Sequence, residues 1–160
     1  MGRFPRLYPE DLEKLEKILN TLVKQSSGQA ALFINPEGRC LAEGGAFQGG
    51  DRAEFCSQAH VFWREAEKLA GTFERKPPGF QFVPLEKVWI CLEPASRGSL
   101  LVVLCENDAT LGMVRLHSIQ TLAKLKEVLD EIDERQAEGK RIAKDVDDQG
   151  PSWPGTPLPA

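Results

Sequence analysis

Apolar residues recur at intervals of three and four in three stretches of the chain, and gather into short alternating or continuous blocks in five others. In YPEDLEKLEKILNTLVKQ, Leu12, Leu15, Leu19, Leu22 and Val23 share one side, with acidic residues in the first turn and Lys24 in the last. That charge order suits the helix dipole and predicts an amphipathic first helix. QAALFIN, Gln29 to Asn35, predicts a short buried strand, and Asn35-Pro36-Glu37-Gly38 has turn chemistry, so RCLAEGG returns as the second arm of a hairpin. Asp51 is placed to cap a second helix that ends near Gly71, ahead of Pro77-Pro78. GFQFVPL, KVWICLE and SLLVVLCE predict three more strands, with turn residues from Pro94 to Gly98 between the last two. Pro84 has no N–H for a ladder, which puts GFQFVPL at a sheet edge. The last helix carries Leu111, Val114, Ile119, Leu122, Leu125, Leu129 and Ile132, and is expected to stop at Gly139.

The order is helix, two strands, helix, three strands, helix. Five short strands joined mainly by hairpins predict an α+β sandwich, an antiparallel sheet with helices on its faces. Residues 1–138 make one domain, and residues 139–160, acidic and then rich in Pro and Gly, are expected to form a flexible tail. A chain of 160 residues, 41% hydrophobic and 28% charged, can bury a core without metal or disulfide staples. The net charge of −4 argues against a nucleic-acid module and for a protein or small-molecule partner.

Candidate chemistry is sparse. Cys40, Cys56, Cys91 and Cys105 show no C-x-x-C and no nearby histidine to complete a zinc site, so they are expected as small core residues and no metal or cofactor is expected. Without a secretory h-region or a long apolar run, the expected location is the cytoplasm. No G-x-x-x-x-G-K-[ST] is present, and GGAFQGG is followed by Asp51, which leaves it a flexible connector. Cys56 and His60 lie four apart on the second helix, but nothing nearby orients the imidazole as a third member would. DEIDERQAE reads as a solvated helix face with Glu131 paired to Arg135.

The segment HVFWREAEKLAG carries more apolar residues than one helix face needs. At about 100° per residue, Phe55, Ala59, Phe62, Ala66 and Leu69 fall in one sector, which is expected to pack on the sheet. Trp63 lies at its margin, while Val61, Arg64 and Lys68 point away. Two readings stay open for Trp63. It widens the core or seals a dimer seam, or it joins Val61 and Arg64 in a partner surface, since Trp and Arg dominate interface hot spots.

LLVVLCENDATLGMVRLHSIQTLAKLKEVL resembles the last strand and helix of the Roadblock / dynein light chain family, in its bacterial MglB-like branch. QAALFINPEGRCLAEGG resembles that family's first hairpin and LYPEDLEKLEKILNTLV its first helix, a match from about Leu7 to Ile132 in the family's element order. The resemblance implies a Roadblock-type sandwich and a homodimer joined through GFQFVPL with the central helices side by side, so that Phe55, Phe62, Ala66, Phe80 and Phe82 line the interface. It also implies a partner, a small Ras-like GTPase of the MglA type, contacted by Lys14, Val61, Trp63, Arg64, Glu65 and Lys68. Hydrolysis is stimulated in that family by ordering the GTPase's own catalytic residues, so no catalytic residue of the regulator's own is expected, and the implied setting is cell polarity or motility. The chain departs from the branch at Gln58-Ala59-His60-Val61-Phe62 and at Glu65, where small residues would stand. That departure opens a second reading, a Roadblock adaptor that docks a GTPase or another protein without activating it.

Overall fold

A computed structural model of the chain describes residues 3–106 and 110–149. Helix α1 (Pro9–Ser26) leads into strands β1 (Gly28–Ile34) and β2 (Cys40–Gly45), then helix α2 (Arg52–Phe73), strands β3 (Gln81–Pro84), β4 (Val88–Pro94) and β5 (Leu100–Glu106), and helix α3 (Leu111–Gln149). The five strands form one sheet in the order β2-β1-β5-β4-β3, with every neighbouring pair antiparallel. The expected α+β order is the observed one, and β3 with Pro84 does occupy an edge.

The two-residue period of the strands divides the core into two layers. Ala31, Phe33, Leu101, Val103 and Cys105 point to one face, where they meet Leu15, Leu19 and Leu22 of α1 and Val114, Leu125 and Leu129 of α3. Leu32, Ile34, Leu92, Leu100 and Val102 point to the other face, toward Cys56, Ala59 and Trp63 of α2. Nearly all of β1 and β5 is buried, which accounts for their near-continuous apolar sequence.

Local chemistry explains the element ends. Asn35 Oδ1 accepts from the N–H groups of Glu37 and Arg39, and Gly38 takes φ +88°, closing the β1–β2 turn. Asp51 caps α2 by accepting from the Glu54 N–H at 3.2 Å. Gly44 lets β2 pass close beneath α1, because a Cβ there would stand 2.4 Å from the Leu19 carbonyl carbon.

Expectations about α3 are corrected at three points. The helix does not stop at Gly139 but runs through it to Gln149. A glycine inside a helix costs only about 1 kcal/mol, and its neighbours Glu138, Lys140 and Arg141 contain nothing that forces the chain out of helix. Arg135 does not close an ion pair on Glu131. Its Nη2 instead donates to Asp11 Oδ1 at 2.8 Å, reaching across to the first turn of α1. Ile119 is 54% exposed, and Ser118 takes the buried position next to it. The segment 150–160 of the expected tail lies outside the described residues.

Asp11 ties α1 to α3. Its side chain is fully buried, and Oδ2 accepts from the Tyr8 N–H at 3.0 Å, while Gln136 of α3 donates to the Arg6 carbonyl. Burial pushes the Asp11 carboxyl up, but the hydrogen bonds from Arg135 and Tyr8 and the charges of Arg135 and Lys14 outweigh it and hold its pKa below the ordinary 3.8. A carboxyl depressed on folding contributes stability that is present above its unfolded pKa and lost as the pH falls through the folded value. Asp11→Asn is therefore expected to lower stability at pH 7 by roughly 1 kcal/mol, with the difference from the parent closing below about pH 4. Urea titrations across pH check this, and a difference independent of pH would show that the charge of Asp11 contributes nothing.

Candidate partner-binding interface

Helix α2 is amphipathic in two directions, and only one apolar stripe meets its own sheet. Cys56, Ala59 and Trp63, spaced three and four, are its buried residues. Of the stripe expected to pack on the sheet, Ala59 does so, and the rest is rotated away from it. Phe62 is 42% exposed, Leu69 73% and Phe73 91%, while Phe55 and Ala66 are half-buried. Trp63, 7% exposed, widens the core beneath α2, the first of its two readings.

The rotated stripe faces an open groove. Phe55, Gln58, Ala59 and Phe62 of α2 form one wall, and Val83, Ile90 and Leu92 of β3 and β4 form the floor of a cleft of about 190 Å³. Helix α2 lies chiefly against β1 and β2, and at the β4–β3 end of this face Leu92 is buried while Val83 and Ile90 are covered only in part. The apolar cleft runs out to the edge strand β3, whose outer side has no partner strand among the described residues.

The residues expected at a dimer interface fall into two groups. Phe55, Phe62 and Ala66 lie along this stripe of α2. Phe80, just before β3, and Phe82 lie on the opposite face of the sheet. Phe80 packs toward the α1/α3 core under the Arg115 guanidinium, 5.0 Å from the ring centre, and Phe82 stands edge-on to Trp89 at 5.3 Å. Val83 and Ile90, which the sequence reading passed over, supply the floor instead. The alternation in Phe82-Val83 carries that signal, since adjacent strand residues face opposite ways.

The residues expected to meet a GTPase are divided as well. Val61, Arg64, Glu65 and Lys68 form an exposed ridge on α2, with Arg64 3.8 Å from Glu67 and Lys68 3.1 Å from Glu65. Trp63 is turned inward from that ridge, because the spacing that joins it to Cys56 and Ala59 points it at the sheet. Lys14 is exposed on α1, across the sheet from α2, so one chain does not bring it to the ridge. Among the described residues no group of three or more His, Cys, Asp or Glu is placed to hold a metal, and no helix is long and apolar enough to cross a membrane.

Solved structures with the same arrangement decide the fold. MglB of Myxococcus xanthus superposes with a TM-score of 0.74 at 20% identity, over 79% of this chain and 96% of that one. The chain has the Roadblock fold. The gliding protein MglB of Thermus thermophilus superposes with a TM-score of 0.71 at 19% identity, over 82% and 99% of the two chains. A Roadblock/LC7 domain from Streptomyces avermitilis does so with a TM-score of 0.66 at 14% identity, over 71% and 96%. No protein-family model matches the sequence, and no curated protein aligns with it significantly.

Trp63→Ala is expected to destabilise the protein by about 3–5 kcal/mol, the cost of removing a buried aromatic ring. Val61→Ala on the exposed ridge is expected to stay within about 0.5 kcal/mol. Chemical denaturation of the two variants checks the assignment of faces, and equal effects would contradict it.

Proposed function

We propose that this chain is a homodimeric regulator of a small Ras-like GTPase of the MglA type and that it stimulates GTP hydrolysis by ordering the GTPase's own catalytic residues. The observation that supports it is the apolar stripe of α2, left uncovered beside a free edge strand on a Roadblock fold. Two copies related by a two-fold axis can bring their α2 stripes together and pair their β3 edges, which gives each groove the cover that its own chain lacks. The same step sets two α2 ridges side by side, doubling the charged surface of Val61, Arg64, Glu65 and Lys68 offered to a partner.

Such a dimer accelerates hydrolysis without donating a catalytic group. It has to bind the hydrolysis-competent arrangement of the GTPase more tightly than the alternatives, and the rate rises only by that difference in affinity. Trp63 supports α2 from beneath in this reading, and Lys14 makes a separate contact from the α1 side.

The adaptor reading has one observation in its favour. Gln58-Ala59-His60-Val61-Phe62 and Glu65 stand where the MglB-like pattern has small residues that admit a close partner backbone, and Glu65 is bulky and paired with Lys68. A dimer built this way docks a GTPase and leaves its turnover unchanged.

Light scattering is expected to give twice the 17.8 kDa of the chain. Phe62→Glu, which buries a charge in the seam, is expected to give the single-chain mass with the fold retained. A parent protein that is monomeric at tens of micromolar would overturn the dimer. With an MglA-type GTPase, the dimer is expected to raise turnover by at least about tenfold. Binding without acceleration would select the adaptor, and no binding would remove both readings.

A further inference from the structure

The edge of the sheet furthest from β3 holds a second constellation, formed by Cys40 at the start of β2 and Cys56 on the second turn of α2. Cys40 packs against the core layer to which Cys56 belongs, and its thiol donates to the Ala42 carbonyl at 3.4 Å. Their settings differ. Cys56 is fully buried, whereas Cys40 is half-buried and lines an open cavity of about 380 Å³ together with Glu16, Glu43 and Arg52. Arg52, in the first turn of α2, pairs with Glu43 and places its positive charge at this cavity.

The neighbouring Cys56 thiol lowers the Cys40 pKa against the effect of its partial burial, and the Arg52 charge lowers it further against that of Glu43, leaving the thiol below the ordinary value of 9.0. The Cys56 thiol is pushed up by the neighbouring Cys40 and by burial. A half-buried thiol that lines an open cavity beside an arginine and packs against the layer holding a second cysteine has the attributes of an oxidant-reactive thiol with its resolving partner.

We propose that Cys40 is a site of oxidation by hydroperoxides and that Cys56 resolves it to an intrachain disulfide between β2 and α2. The Cys40 thiolate attacks one oxygen of the hydroperoxide, an S–O bond forms, the O–O bond breaks, and the departing hydroxide or alkoxide takes up a proton. Cys56 then gives up its proton as its sulfur attacks the Cys40 sulfenic acid, forming the S–S bond and expelling water. Two electrons pass from the sulfur pair to the peroxide, and nothing else is consumed.

The chain carries its own control. Cys91 and Cys105 are also neighbours, diagonally placed on the adjacent strands β4 and β5, but both are buried in the layer under α1 and α3. Proximity is common to the two pairs, and access to solvent is what separates them. Oxidation at Cys40 fastens the first turns of α2 to β2 at the sheet edge away from β3, so it does not require the dimer proposed above and its failure leaves that proposal standing.

The test uses the full chain in its reduced, folded state. Hydrogen peroxide is added, free thiols are trapped with N-ethylmaleimide, and peptides are mapped by mass spectrometry. The expected product is a Cys40–Cys56 disulfide within one chain, with Cys91 and Cys105 still free. Dimedone present during oxidation is expected to divert the wild-type protein to a sulfenic acid adduct on Cys40, a readout that needs no variant. In Cys40→Ser, Cys56 is expected to resist peroxide, and in the parent protein iodoacetamide is expected to reach Cys40 at least about tenfold faster than Cys91 or Cys105. Oxidation of the Cys91–Cys105 pair at an equal rate, or disulfides formed only between chains, would overturn the proposal.

Discussion

A five-stranded sheet has more apolar face than one helix can cover, and much of this molecule follows from that mismatch. Five strands span about 24 Å across the sheet, whereas a helix with its side chains is about 10–12 Å wide. On one face α1 and α3 lie together over the sheet and bury it. On the other face α2 works alone, close to β1 and β2, and it leaves the surface made by Val83 and Ile90 only partly covered. The second apolar stripe of α2 borders this gap. The proposed pairing of two chains answers both deficits at once, since a second α2 supplies the missing width while the β3 edges join.

The same mismatch shows how far the sequence could be read. Helix α1 was legible because its leucines have one sheet face to meet and its charges follow the dipole. The β1–β2 hairpin was legible from Asn35-Pro36-Glu37-Gly38, and the edge position of β3 from Pro84, because each rests on local backbone chemistry. The orientation of α2 was not. Two stripes that share Ala59, one with Cys56 and Trp63 and one with Phe55, Phe62, Ala66 and Leu69, fit the helical period almost equally well. Periodicity reports that a face is apolar without reporting what covers it, so Phe62, expected on the sheet, is exposed, and Trp63, expected at the margin of the stripe, is buried. The partner of Arg135 was out of reach for a similar reason. Glu131 is four residues away in sequence, but the buried Asp11 is 124 residues away and offers a desolvated carboxylate that already holds the Tyr8 N–H.

Placement also sharpens the candidate site. The residues expected to meet a GTPase do not form one patch on a single chain, because Lys14 and the α2 ridge lie on opposite faces of the sheet and Trp63 is beneath the ridge. A partner that touches both faces has to wrap the molecule, approach over an edge, or meet two copies. The uneven distribution of cysteines follows the layering as well. Cys91 and Cys105 fill space in the closed layer, while Cys40 lies where the sheet edge, the cavity and the first turn of α2 meet. Fold alone carries none of this chemistry, since Roadblock folds can share a backbone and differ in the side chains they expose.

The most direct measurement is hydrogen exchange at the outward-pointing amides of β3, followed as a function of protein concentration. If β3 pairs with β3 of a second copy, these amides exchange as slowly as those of β4 at high concentration, and they lose that protection on dilution. Rapid exchange at every concentration, with β4 protected throughout, would mean that the edge stays free and that the open side of α2 is not covered by a second copy of this chain.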